Sequence, residues 1–95
     1  MTYHLDFDAN ALKEWRKLGD VVREQFKKKL AEVIENPRIE ANKLRELPDC
    51  YKIKLHKAGY RLVYQVKDEV ITVFVVAVGK RERSAVYREA SKRMR

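Results

Sequence analysis

The chain has 95 residues, only three Gly and two Pro, and 45% apolar side chains, a length and composition expected of one folded domain rather than a disordered segment. Its formal net charge of +8 lies entirely in one half: residues 1–49 carry ten Lys/Arg against ten Asp/Glu, and residues 50–95 carry twelve against four. Charge confined in this way points to a polyanionic partner (RNA, DNA or an acidic protein segment), and the longest apolar run, Val70 to Val78, is far short of the ~20 residues of a membrane helix.

Tyr3, Leu5 and Phe7 alternate with His4 and Asp6, which predicts a short first strand. Asp8 can cap the helix that follows, where Leu12, Trp15 and Leu18 recur at helical spacing. Gly19 is expected to end that helix in the left-handed conformation. Asp20 opens a second helix with Val22, Phe26, Leu30, Val33 and Ile34 on one stripe, closed by Asn36-Pro37. Residues 38–48 have no sustained period, and Leu44 and Leu47 are expected to tack this connection to the core. Three strand-like segments follow: Cys50–His56, Tyr60–Val66 and Val70–Val78. Ser84 can cap a last helix with Val86, Ala90 and Met94 on its apolar side. The order βααβββα predicts one α+β domain over residues 1–95: two helices on one face of a small, mainly antiparallel four-stranded sheet, plus a C-terminal helix.

The alternation in the middle strands predicts where the charge gathers. A hairpin with Ala58-Gly59 as its two-residue loop pairs Lys57 with Tyr60, His56 with Arg61 and Lys54 with Val63. Ile53, Leu55, Leu62 and Tyr64 then share one face, and Lys52, Lys54, His56 and Arg61 share the other, away from the helices. Lys80, Arg81 and Arg83 form a second basic cluster at the start of the last helix, where cations oppose the helix dipole unless an anion binds. Tyr87 lies one turn further on. Together Lys52, Lys54, Arg61, Arg81 and Tyr87 would grip a phosphate and stack a base, as single-stranded RNA recognition requires.

Other chemistries find little support. His4 and His56 have no spacing-matched metal-ligand partner, and there is no Gly-rich phosphate loop. Cys50 and His56 lie roughly 20 Å apart along an extended strand, too far for a nucleophile and its base. A single cysteine makes no intramolecular disulfide, and no basic-then-apolar leader opens the chain, so the expected compartment is the cytoplasm.

The segments Leu5–Asp8, Ala11–Leu18, Ile39–Arg45, Pro48–Leu55, Gly59–Val66 and Val78–Ser84 closely resemble the RelE toxins of the RelE/ParE superfamily, and the resemblance spans almost the whole chain. It implies the toxin of a type II toxin–antitoxin system: a ribosome-dependent endoribonuclease that cleaves messenger RNA in the A site of the 70S ribosome. It also implies a RelB-type antitoxin, and operator DNA contacted only through the toxin–antitoxin complex, which represses its own promoter. The family's catalytic positions fall on Lys52, Lys54, Arg61, Arg81 and Tyr87, with no metal or cofactor; Lys80, Arg83, His56 and Arg45 are expected as further RNA or phosphate contacts. The implied chemistry is attack of a ribose 2′-OH on the adjacent phosphate. Lys54 or Lys52 would act as general base, its pKa lowered from about 10.4 by like charges nearby. Two alternatives stand beside it: a ParE-type gyrase poison, and a non-catalytic ribosome- or nucleic-acid-binding module.

Overall fold

The structure is a computed structural model that describes residues 2–80 and 85–94. β1 (His4–Phe7) leads into α1 (Ala9–Arg16) and α2 (Asp20–Val33); β2 (Cys50–Leu55), β3 (Tyr60–Lys67) and β4 (Thr72–Lys80) follow, and α3 (Ala85–Arg93) closes the chain. The strands form one mixed sheet in the order β1-β4-β3-β2, with β1 parallel to β4 and the other pairs antiparallel. The α+β class and the element order are as expected.

Helix boundaries follow local chemistry. The Asp8 side chain accepts from the backbone N–H groups of Asn10 and Ala11, satisfying two donors that the first turn of α1 leaves open. Gly19 departs from expectation. Its φ of −64° is ordinary extended backbone, and it serves as the N-cap of α2 rather than a left-handed stop. The C-terminal carbonyls of α1 are met instead by the N–H groups of Lys17 and Leu18, so no left-handed residue is needed. Phe26, Leu30 and Val33 are the buried face of α2, joined by Ala11 and Leu18 over the strand residues Tyr51, Ile53, Leu55, Leu62, Tyr64, Val66, Val73, Val75 and Val78.

The β2–β3 hairpin keeps the predicted faces in a different register. Leu55 pairs with Tyr60, Lys54 with Arg61 and Lys52 with Val63, so the loop is four residues long rather than two. The Gly59 N–H closes it on the Leu55 carbonyl at 2.8 Å, and Gly59 takes a φ of +70° that glycine adopts without strain. The slip is two residues, an even number, so Lys52, Lys54 and Arg61 stay on their expected face, but His56, expected opposite Arg61, falls in the loop instead. The third segment begins later than predicted. Asp68–Val70 forms a 3-10 turn and Ile71 sits at φ +47°, so β4 starts at Thr72.

A bulge in β4 shapes the second face. Tyr64 pairs with Val75 and Val63 with Ala77, which leaves Val76 without an opposite residue. Val76 and Ala77 both join Cys50, Val63, Val86 and Ala90 in a second, smaller core. α3 therefore packs on the face opposite α1 and α2. The expectation that this face is free of helices does not hold, because the bulge and Gly79 give it a low, apolar seat. Leu44 and Leu47 pack against the same core, as expected for the tacking of residues 38–48. Val86 is the one large aliphatic side chain that α3 buries, worth about 1.5–3 kcal/mol, so hydrophobic anchoring of this helix is thin.

Candidate functional site

Cross-strand pairing builds the site as a row. Lys54 on β2 lies opposite Arg61 on β3, and Arg61 lies opposite Gly79 on β4. Lys52, two residues along β2, projects from the same face as Lys54. Gly79 has no side chain to hold α3 off: a Cβ there would meet the Val86 Cγ2 at 3.1 Å. α3 can thus descend and place Tyr87 beside Arg61, whose guanidinium carbon lies 5.3 Å from the Tyr87 ring centroid. This is cation–π distance.

Two atoms in this contact are unsatisfied. The Arg61 Nε and the Tyr87 Oη are both buried without a hydrogen-bond partner among the described residues. Leaving a buried polar group unpaired costs about 1–3 kcal/mol, so natural sites keep such groups where a ligand completes them. Both are donors, and both sit on the one face that also carries Lys52 and Lys54. An oxygen acceptor at this contact would satisfy either group.

The remaining predicted residues distribute less tightly. Lys80 is exposed at the end of β4 opposite Tyr60, whose ring packs on the α1/α2 side, so its register position faces away from Arg61. His56 is exposed in the β2–β3 loop and lines, with Lys29, Lys54, Asn42 and Ile53, a groove of about 300 Å³ between β2 and α2. Arg45 is exposed on the connection before β2, beside the Leu44 that packs under α3. Arg81 and Arg83 lie outside the described residues, as does the predicted cap Ser84.

Cys50 is closed to chemistry of its own. Burial pushes its thiol up to about 12, with the Asp49 carboxylate adding to the shift, and its Sγ donates to the Met94 Sδ at 3.3 Å on α3. No group of three His, Cys, Asp or Glu side chains among the described residues is placed to hold a metal ion. No helix among them is long and apolar enough to cross a membrane.

Two polar networks escaped sequence reasoning. At the end of the sheet away from Arg61, Arg38 pairs with Asp68 at 2.7 Å and with Asp49 at 3.2 Å, while the Tyr3 hydroxyl donates to Asp68 at 2.7 Å. At the outer edge of β4, Arg93 of α3 donates to Glu14 of α1 through both terminal guanidinium nitrogens, at 2.9 and 3.0 Å. Neither pairing leaves a local signal, because partners 30 and 79 residues apart meet only once the sheet exists.

Comparison with known proteins places this architecture. The family model described as the ParE toxin of the type II toxin–antitoxin system parDE matches residues 5–85. The chain is 73% identical over 94 residues, 99% of each protein, to the mRNA interferase toxin RelE of Escherichia coli K12, and equally to the mRNA interferase RelE of Shigella flexneri. The free-state structure of a double mutant of E. coli toxin RelE superposes with a TM-score of 0.93 at 70% identity, covering 100% of both chains. The toxin chain of the intact E. coli RelBE toxin–antitoxin complex superposes with a TM-score of 0.82 at 74% identity, covering 85% of this chain and 99% of that one. By fold, by family model and by full-length identity, the chain belongs to the RelE toxins of the ParE toxin family.

Proposed function

We propose that the protein is a ribosome-dependent endoribonuclease that cleaves messenger RNA in the ribosomal A site without a metal ion. The observation that carries this reading is the Arg61–Tyr87 contact, with its two buried, unpaired donors beside the Lys52–Lys54 face. Relatives named mRNA interferases at 73% identity over the whole chain support it from a second direction.

In the proposed reaction the 2′-oxygen forms a bond to phosphorus while the bond from phosphorus to the 5′-oxygen breaks. The 2′-OH proton goes to Lys54 or Lys52, and the departing 5′-oxygen takes a proton from Arg81 or from water. The products are a 2′,3′-cyclic phosphate and a 5′-OH. Arg61 and Arg81 stabilise charge on the phosphorane oxygens, and Tyr87 stacks a base and donates to the phosphate. Lysine is a poor base and guanidinium a poor acid at neutral pH, so the chemistry leans on charge stabilisation. Holding the RNA in attack geometry then matters most, which is what a ribosome supplies. Arg45 and Arg83 serve as outer contacts to RNA; Lys80 and His56, which point away from Arg61, would reach only more distant parts of the message or ribosomal RNA.

The partners that follow are mRNA, the 70S ribosome and a RelB-type antitoxin, as in the E. coli RelBE complex, with operator DNA bound through the toxin–antitoxin complex in the cytoplasm. A primer-extension assay on one message, free and programmed into the A site, tests the reading. Cuts confined to the A site and lost with Arg81→Ala are expected. The match to the ParE toxin model favours gyrase poisoning as the second reading. Inhibition of DNA supercoiling with no cut in either RNA setting would replace the first reading with that one.

A further inference from the structure

β1 pairs only with Thr72–Val75, so among the described residues the rest of β4 has no strand on its outer side. An open edge of this kind needs partners for its backbone groups. Glu14 and Arg93 supply them. The Glu14 Oε1 accepts from the Val78 N–H at 3.1 Å, and the Arg93 Nη1 donates to the Val76 carbonyl at 2.8 Å. The same two side chains form a fork-to-fork pair with each other at 2.9 and 3.0 Å, and the Arg93 side chain is only 13% exposed. Asp8 and Glu89 add longer contacts to the same guanidinium, at 3.9 and 3.5 Å. One guanidinium thus links helices on opposite faces of the sheet around its edge.

What α3 carries makes this link more than an edge cover. Tyr87 lies six residues before Arg93, roughly 9 Å up the helix axis at 1.5 Å per residue. Its ring faces Arg61, yet among the described residues neither its hydroxyl nor the Arg61 Nε has a hydrogen-bond partner to hold the pair in place. Val86 and Ala90 are the buried residues of this helix. The position of the Tyr87 ring therefore depends on what fixes the last turn of α3. The geometry points to Glu14 and Arg93 as positioning residues, which hold α3 against the sheet and so set Tyr87 beside Arg61. Neither needs to touch RNA. Their action on cleavage rests on the function proposed above; their action on Tyr87 does not.

The test labels all five tyrosines of the free protein with 3-fluorotyrosine and assigns Tyr87 by loss of its fluorine resonance in Tyr87→Phe. Glu14→Gln keeps an acceptor for the Val78 N–H and removes the charge that Arg93 pairs with. Arg93→Lys keeps the charge and removes the fork, and serves should the first variant fold poorly. In either variant the Tyr87 resonance is expected to shift toward that of unstructured tyrosine and to broaden, while Tyr3, Tyr51, Tyr60 and Tyr64 hold. On A-site mRNA, kcat is expected to fall about tenfold with KM within about twofold, and to fall no further when Glu14→Gln is added to Tyr87→Ala. An unmoved Tyr87 resonance in a folded variant overturns the inference. So does an equal loss of kcat in the Tyr87→Ala background, which would make the pair merely stabilising. If the wild type cuts no RNA, the proposed function fails while the fluorine spectrum still decides the positioning role.

Discussion

Tyr87→Phe separates stability from function at one atom. In the free protein the Tyr87 hydroxyl is buried and makes no hydrogen bond among the described residues. Removing an unpaired buried hydroxyl while keeping the ring relieves a desolvation penalty of about 1–3 kcal/mol, with some of it offset by the small void left behind. A net gain of about 1 kcal/mol corresponds to a rise in Tm of about 4–8 °C for a domain of this size. The ring and its contact with Arg61 remain. With RNA bound, the same hydroxyl donates to a charged phosphate in the proposed reaction, a bond worth about 1.5–3 kcal/mol, or roughly 10- to 150-fold in cleavage rate. Thermal unfolding followed by circular dichroism and A-site primer extension, run on the same preparations, read both effects. A variant that is more stable and slower supports the reasoning. A Tm that falls or holds would show that the hydroxyl is already satisfied and that the site does not hold a donor in reserve for an anion.

Two further outcomes follow from the titrating groups. The Tyr3 hydroxyl and Arg38 hold the Asp68 carboxyl below the usual carboxylate range, so the unfolded chain takes up its proton first as pH falls. Stability from this network is present at neutral pH and declines below about pH 4, and Asp68→Asn should flatten that part of a plot of Tm against pH; an unchanged slope would refute the assignment. With its thiol pushed up to about 12 by burial, Cys50 should react with a disulfide reagent only as fast as the protein opens, and labelling at the rate of a free thiol would contradict its burial beneath Met94.

Much of the fold is legible in the sequence because its signals are local. The Asp8 cap, the α2 stripe and the alternation in β2 and β3 each fix a side chain's direction within a few residues, and those directions put Lys52, Lys54 and Arg61 on one face. The hairpin register differs from the expected one by two residues, which exchanges no faces because only an odd slip does, but moves His56 from opposite Arg61 into the loop. The β4 bulge does matter. Val76 and Ala77 point to the same side, which no strict alternation predicts, and that irregularity seats α3 over the basic face. Lys80 shows the same limit: its neighbourhood in sequence suggests the site, but strand parity turns its position away from Arg61. The Glu14–Arg93 pair is invisible in the sequence because its reason, an edge left open by a short β1, exists only in three dimensions.

The most direct test of the proposed chemistry replaces a single ribose at the scissile position of an A-site message by its 2′-deoxy counterpart. Attack by the 2′-oxygen predicts that cutting at that phosphate stops while toxin binding persists, and that the unmodified message is cut to a 2′,3′-cyclic phosphate and a 5′-OH. Continued cutting of the deoxy-substituted message would mean that water or another nucleophile attacks the phosphorus, and neither Lys52 nor Lys54 would then serve as base for a ribose hydroxyl.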